Sequence, residues 1–143
     1  MAKMPYILIV DDDPEDLEML AEKLRTPQNR VQVHGVSDGQ QAFSLLEACT
    51  VDNLPTVLIT DYQMPILNGA ELLRLLQLDH RYNDMAKLVL STSGNAAHME
   101  ECIRDGAHKY FIKPDELRKL DSIVECILDL FLDRTMRAAG LFV

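Results

Sequence analysis

Five polar residues follow directly on short apolar segments, and their side chains suit metal or phosphate chemistry. They are Asp11 and Asp12 after YILIV, Asp61 after TVLIT, Ser91 after LVL and Lys113 after KYFI. Converging carboxylates repel one another by roughly 4 kcal/mol per pair at an effective dielectric of 20, so they stay ionised together only beside cations. Lys113 supplies one positive charge, and a hard divalent ion with oxygen ligands would balance the remainder.

A carboxylate, a divalent cation, an ammonium group and a hydroxyl together favour phosphoryl transfer, which depends on positioning and charge neutralisation. Asp61 is predicted to be the acceptor because it stands alone at the end of a central strand, and carboxylates do accept phosphoryl groups covalently. Asp11 and Asp12 are predicted to hold the metal. Lys113 and Ser91 would bind the phosphoryl oxygens. No Cys or His lies among these strand ends, which favours magnesium over zinc.

The elements that must position these residues are predicted from hydrophobic periodicity. Continuous apolar runs predict strands at 6–10, 31–36, 56–60, 88–90 and 109–112, separated by segments with helical spacing. Asp13 before Pro14 predicts a helix N-cap, and Gly106 predicts a C-cap. Alternating strands and helices predict a doubly wound α/β fold with a parallel sheet and right-handed crossovers. In such sheets ligands bind outside the carboxyl ends of the strands, where the five polar residues would meet.

One domain accounts for nearly the whole chain in this interpretation. The last helix is predicted to place five apolar residues on one face, namely Leu117, Leu120, Val124, Ile127 and Phe131. Residues 5–133 are assigned to the domain, and 134–143 to a short C-terminal extension with no output domain. Whether the apolar end, Leu141 to Val143, packs on the domain or is disordered stays open.

Composition narrows the classes of partner. The 143 residues include 14 Lys and Arg against 23 Asp and Glu, a net charge of −9, which argues against nucleic acid. Three cysteines without C-x-x-C spacing indicate a reducing cytoplasm, and no apolar run approaches the ~20 residues that span a bilayer. We therefore expect a cytoplasmic protein with no membrane partner. The four histidines lack metal-ligand spacing and are predicted to have surface or loop roles, His98 among them.

Four segments in order resemble the response-regulator receiver family of two-component signalling, in particular its stand-alone, chemotaxis-regulator-like members. They are VDDDP, LITDYQMPILNGAELL, LVLSTSG and GAHKYFIKP, each at a predicted strand end. The resemblance covers about residues 5–133. It implies a flavodoxin-like (βα)5 fold whose five parallel strands lie in the order 2-1-3-4-5.

The resemblance also implies individual roles for the acidic residues. Asp61 matches the phosphorylated aspartate, and Asp11 and Asp12 match the acidic pair, with Asp12 a direct magnesium ligand. The backbone carbonyl of Gln63 would supply a further ligand. The domain would promote its own phosphorylation and dephosphorylation without being a conventional enzyme.

The same resemblance implies a conformational switch. Ser91 matches the switch hydroxyl, with Thr92 as the alternative, and Tyr110 matches the switch aromatic. Lys113 matches the lysine before proline, often joined to it by a cis bond. Phosphorylation would move Ser91 and then Tyr110 inward, repacking the surface of the fourth helix, fifth strand and fifth helix.

The implied partners are proteins, and two other functions stay open. A histidine kinase or phosphotransfer protein would supply the phosphoryl group, and a downstream protein would read the surface. Dimerisation on phosphorylation is left open. The alternatives are an unphosphorylated receiver-like binding module and a phosphatase of the haloacid-dehalogenase type, with Asp11 as nucleophile and Asp13 as acid/base.

Overall fold

The five predicted strands are present in the computed structural model, which describes residues 4–28 and 31–140. The strands are β1 (Tyr6–Val10), β2 (Gln32–Val36), β3 (Val57–Thr60), β4 (Ala86–Ser91) and β5 (Lys109–Ile112). The helices are α1 (Pro14–Leu24), α2 (Gly39–Ala48), α3 (Gly69–Gln77), α4 (Ala96–Arg104) and α5 (Asp121–Ala138). Short 3-10 turns lie at Val51–Asn53, His80–Tyr82 and Leu117–Leu120.

The strands form one parallel sheet in the order β2-β1-β3-β4-β5, which confirms the predicted fold and strand order. Both faces of the sheet are covered. Ile7 and Ile9 of β1 lie in a core with residues of α1 and α5, while Leu8 and Val10 pack on the other face with residues of α2 and α3. This two-sided burial explains why the central strands are continuous apolar runs rather than alternating ones.

The predicted helix caps are confirmed. The Asp13 carboxylate accepts hydrogen bonds from the backbone N–H groups of Glu15 and Asp16 at 3.0 and 3.2 Å, and Pro14 opens α1. Gly106 follows α4 with a φ of 108°, a left-handed conformation in which a side chain is strained. The Asp13 cap places the first turn of α1 directly after Asp12, beside the carboxyl ends of the strands.

The last helix differs from its predicted extent at both ends. A 3-10 turn, Leu117–Leu120, precedes α5, and the helix then continues to Ala138, so residues 134–138 of the predicted extension are helical. Val124, Ile127 and Phe131 are buried as predicted, and so is Leu120 of the preceding turn. Leu141 to Val143 lie outside the described residues. No helix in the described ranges combines the length and the apolar character needed to cross a membrane.

Candidate functional site

The backbone brings the predicted site residues to one edge of the sheet. Hydrogen bonds continue the strand pairing past the last strand residues, from the N–H of Asp61 to the carbonyl of Val10 at 2.9 Å. A similar bond joins the N–H of Lys113 to the carbonyl of Ser91 at 2.8 Å. Asp61 and Lys113, the first residues after β3 and β5, are thus fixed to the neighbouring strands, as expected for a site at the carboxyl ends of parallel strands.

Lys113 is the central cation of this site. Its Nζ lies 2.7 Å from Oδ2 of Asp11 and 3.3 Å from Oδ2 of Asp61. A third carboxylate, that of Asp16 on α1, lies 2.9 Å from the same nitrogen. The contacts with Asp11 and Asp61 agree with the predicted convergence, whereas Asp16 was not predicted. Its position in the first turn of α1 is one where acidic residues are ordinarily explained by the helix dipole.

Three carboxylates meet at a point that suits a divalent cation. Asp11, Asp12 and Asp61 can each place one oxygen within 4.8 Å of the others. Two of these groups are oriented by backbone N–H donors, since Asp13 donates to Asp11 at 2.9 Å and Tyr62 donates to Asp61 at 2.7 Å. Asp12 is exposed, while Asp11 and Asp61 are only 6% and 9% exposed. The donor set is therefore all oxygen and open on one side, which fits magnesium.

An open cleft adjoins the exposed side of the acidic cluster. Its volume is about 460 Å³, and it is lined by Asp12, Tyr62, Gln63, Met64, Pro65 and Asn68. Gln63, the predicted carbonyl ligand, is thus placed beside Asp12. With Asp16 included, the site holds four carboxylates and one ammonium group, which leaves three uncompensated negative charges when all are ionised.

The buried charges shift one another's protonation. Burial raises the pKa of Asp11 from 3.8 to about 6, and the hydrogen bond and charge of Lys113 offset this only in part. Burial alone would lower the pKa of Lys113, but its hydrogen bonds to Asp11 and Asp16 outweigh burial and raise that pKa. Lys113 is therefore charged at neutral pH, and the Asp11 carboxyl group takes up a proton at a higher pH than an exposed aspartate does.

Without divalent cations, Asp11 is expected to make the folded state less stable as the pH rises. Its raised pKa means that between about pH 4 and 6 the folded protein holds a proton that the unfolded chain has released. The unfolding free energy of the wild type relative to Asp11→Asn should fall by up to about 3 kcal/mol across that window. Urea denaturation in EDTA at pH 4, 5, 6 and 7 measures this difference. An unchanged difference would contradict the burial argument.

Ser91 is fully buried at the end of β4, whereas Thr92 is exposed. The Ser91 Oγ accepts a hydrogen bond from the N–H of Ser93 at 3.2 Å. Position and burial both favour Ser91 over Thr92 as the hydroxyl of the site.

Tyr110 is half-buried and already tied to the loop after β4. Its hydroxyl donates to the carbonyl of Ser93 at 2.7 Å. Its ring packs against a small core that comprises Tyr62, Ala70, Leu73, Val89, Cys102 and Ala107. Ser91, Ser93 and Tyr110 therefore form a continuous hydrogen-bonded series from the site to β5.

The cis peptide bond expected between Lys113 and Pro114 is wrong, because no peptide bond between described residues is cis.

A second connection, through Tyr62, joins the site to α4. The Tyr62 ring stacks on His98 at a centroid distance of 4.2 Å, and its hydroxyl donates to Glu101 at 3.0 Å. His98 Nδ1 in turn lies 2.7 Å from the Ser93 hydroxyl oxygen. His98 lies on α4 and is only partly buried, and its contacts with Tyr62 and Ser93 were not predicted. No spacing in the sequence signals this contact, which depends on how α4 is rotated.

Gly69 allows the loop after β3 to return against the strand end. A Cβ at this position would lie 2.3 Å from the backbone oxygen of Asp61, closer than any side chain tolerates. The Gly69 N–H donates to the carbonyl of Tyr62 at 2.8 Å. The glycine of the segment DYQMPILNG therefore fixes the backbone beside Asp61.

Asp13 does not have the surroundings of an acid/base. Its carboxylate is engaged by the two backbone N–H groups of the helix start, and it is absent from the group of carboxylates that approach one another. The phosphatase alternative, which needs Asp13 beside Asp11 in the chemistry, has no support from this geometry.

Comparisons of the sequence agree on one family. The chain matches the family described as response regulator receiver domain over residues 7–125. The two-component response regulator ORR5 of Oryza sativa subsp. japonica is 30% identical over 110 residues, 77% of this chain and 78% of that protein. A chemotaxis protein CheY homolog of Campylobacter jejuni subsp. jejuni is 29% identical over 121 residues, 85% of this chain and 91% of that one.

Solved structures show the same architecture. The phosphorylated cyanobacterial phytochrome response regulator RcpA has a TM-score of 0.82 at 25% identity, covering 91% of this chain and 95% of that one. The Mn²⁺-bound form of response regulator Rcp1 has a TM-score of 0.77 at 23% identity, covering 86% of this chain and 91% of that one. At 23% identity the second likeness shows the fold alone.

Proposed function

Because this chain belongs to the response regulator receiver domain family, we propose that Asp61 accepts a phosphoryl group and thereby switches the domain between two signalling states. One observation carries the proposal. Lys113 and the Asp61 carboxylate face each other at 3.3 Å at the edge of the sheet, with Asp11 and Asp12 close enough to share a cation. This is a nucleophile with a charge-neutralising group on one side and a cation site on the other.

The transfer itself is a displacement at phosphorus. A carboxylate oxygen of Asp61 forms the new P–O bond, while the P–N bond of a phosphohistidine donor breaks and its electron pair stays on the imidazole nitrogen. Lys113 binds one phosphoryl oxygen, and the Ser91 hydroxyl donates to another. The Tyr62 N–H holds one carboxylate oxygen at 2.7 Å, which orients Asp61 before the donor arrives.

The acidic cluster fits a magnesium ion. Asp11, Asp12 and Asp61 would hold it, together with the backbone carbonyl of Gln63. When bound, the ion supplies positive charge that offsets the carboxylates and the phosphoryl oxygens. Asp12 is the exposed member of the cluster, so it gives the ion its path from solvent.

The output is a change in the surface formed by α4, β5 and α5. Tyr110 already donates to Ser93, whose N–H is bonded to Ser91. Phosphorylation would therefore act by fixing this series of bonds rather than by creating it, a population shift between two arrangements. Ile103 on α4 and Ile112 on β5 are each 49% exposed on this surface and would contact the downstream protein.

The proposed partners are proteins. The phosphoryl donor would be a histidine kinase or a phosphotransfer protein. A net charge of −9 disfavours nucleic acid as a partner.

Residues 5–133 would form the switching unit, with 134–143 as an extension of it. Three free cysteines suit a reducing cytoplasm. Dimerisation on phosphorylation would be read from sedimentation with and without beryllofluoride.

Magnesium is expected to stabilise the folded protein, and the beryllofluoride mimic to stabilise it further only when magnesium is present. A ligand at 100 times its Kd adds about 2.7 kcal/mol to the unfolding free energy. Urea denaturation with EDTA, magnesium, and magnesium plus beryllofluoride measures both steps, with Asp12→Asn as the variant that should lose them. A wild type that responds to neither addition would instead be an unphosphorylated binding module.

A further inference from the structure

Asp16 is a fourth carboxylate at the site, and the proposed transfer does not use it. It lies in the first turn of α1, and its Oδ2 is 2.9 Å from the Lys113 nitrogen. This contact joins residues 97 positions apart in the chain. It is shorter than the 3.3 Å between the same nitrogen and Asp61. Lys113 is therefore held more closely by α1 than by the acceptor.

The lysine has no spare hydrogen in this arrangement. An ammonium group carries three N–H donors, and Lys113 faces three carboxylates, those of Asp11, Asp16 and Asp61. A phosphoryl oxygen can be bound by this group only if one carboxylate gives up its hydrogen bond. The incoming group thus competes with an existing partner.

Of the three carboxylates, Asp16 can lose its hydrogen bond to Lys113 with the smallest free-energy cost. The Asp11 side chain is 8% exposed and is also fixed by the N–H of Asp13, so a lost ammonium contact would leave it buried and uncompensated. The Asp16 side chain is 21% exposed and can be rehydrated. Asp61 carries the phosphoryl group and stays beside the lysine.

We propose that Asp16 is a positioning residue that occupies one N–H of Lys113 before phosphorylation. Phosphoryl uptake is slowed until that N–H leaves Asp16 and donates to a phosphoryl oxygen instead. The inference rests on the proposed function of Asp61 and adds a restraint to it. Removing the Asp16 carboxylate should therefore increase reactivity, because a Lys113 N–H becomes free to face the acceptor. A substitution that only damaged the fold would decrease reactivity instead.

The test compares Asp16→Asn and Asp16→Ala with the wild type and with Glu15→Gln at saturating magnesium. Glu15 is the matched control, since it lies in the same turn, is exposed and carries the same charge. Beryllofluoride affinity by tyrosine fluorescence and the rate of labelling by acetyl phosphate are measured. Both should rise by about two- to fivefold in Asp16→Ala, the range expected for losing a partly exposed ion pair. Asp16→Asn should lie between, because its amide oxygen still accepts a hydrogen bond.

Losing one negative charge could also speed the reaction by weakening the repulsion of an anionic phosphoryl donor, and measurements at high salt distinguish this effect from the loss of the direct Asp16–Lys113 contact. At 1 M salt the screening length is about 3 Å, which removes long-range repulsion of an anionic donor but not a direct contact. The gain should persist in Asp16→Ala and stay absent in Glu15→Gln. If the wild type is labelled and the Asp16 variants are labelled at the same rate or more slowly, the role of Asp16 is overturned while the proposed function of Asp61 stands. A wild type that binds no beryllofluoride and takes no label would overturn the proposed function and this inference together.

Discussion

Replacing Lys113 by methionine is expected to slow phosphoryl uptake by at least about a hundredfold, the usual effect of removing one donor to a developing charge. The methionine keeps the length of the side chain but cannot donate to the phosphoryl oxygens. It also leaves the buried carboxylates of Asp11 and Asp61 without their ammonium partner. Removing one member of a buried ion pair destabilises a protein by about 3–5 kcal/mol, and magnesium should restore part of this.

Lys87→Met is the matched control for that variant. Lys87 is also buried, but its Nζ donates to the backbone carbonyls of Tyr82 and Met85 at 2.6 and 3.1 Å, far from the carboxyl ends of the strands. Lys87→Met should change stability with little effect on labelling by acetyl phosphate. Equal labelling by Lys113→Met and Lys87→Met would show that Lys113 has no part in the transfer.

Gly69→Ala is expected to have the second-largest effect, on both stability and reactivity. The added methyl group would lie 2.3 Å from the Asp61 backbone oxygen, so the strand end or the start of α3 must move. Overpacking against backbone costs about 3 kcal/mol, and displacement of a reacting group by a fraction of an ångström slows chemistry by about tenfold or more. Urea denaturation and acetyl phosphate labelling measure the two effects.

Gly94→Ala provides the comparison. A methyl group there meets only Ile112 Cδ1 at 3.5 Å, an ordinary contact, so stability should change by less than about 1 kcal/mol. If Gly69→Ala behaved like Gly94→Ala, the close approach of α3 to Asp61 would not constrain the site.

The strands and the convergence of the site could be predicted because both follow from local rules. A strand buried on both faces is a continuous apolar run, and parallel strands put the residues after them on one edge. Asp11, Asp61 and Lys113 are therefore brought together by topology alone, whatever the details of the loops. Their contacts at 2.7 and 3.3 Å agree with that expectation.

The contributions of the helices could not be predicted in the same way. Asp16 reaches Lys113 because α1 starts at Pro14 and presents its first turn to the sheet edge, and His98 reaches Tyr62 because of the rotation of α4. Both contacts depend on side-chain directions and loop geometry that spacing does not specify. The length of α5 was underestimated for a related reason, since no residue of this helix beyond Phe131 is buried.

The most direct test of the central claim is the mass of the intact protein after incubation with magnesium and acetyl phosphate, for the wild type and for Asp61→Asn. We expect one phosphoryl adduct on the wild type, absent when EDTA replaces magnesium and absent in Asp61→Asn. An adduct that persists in Asp61→Asn would contradict the account and move the acceptor to Asp11 or Asp12. A wild type that stays unmodified under all conditions would contradict phosphoryl acceptance itself.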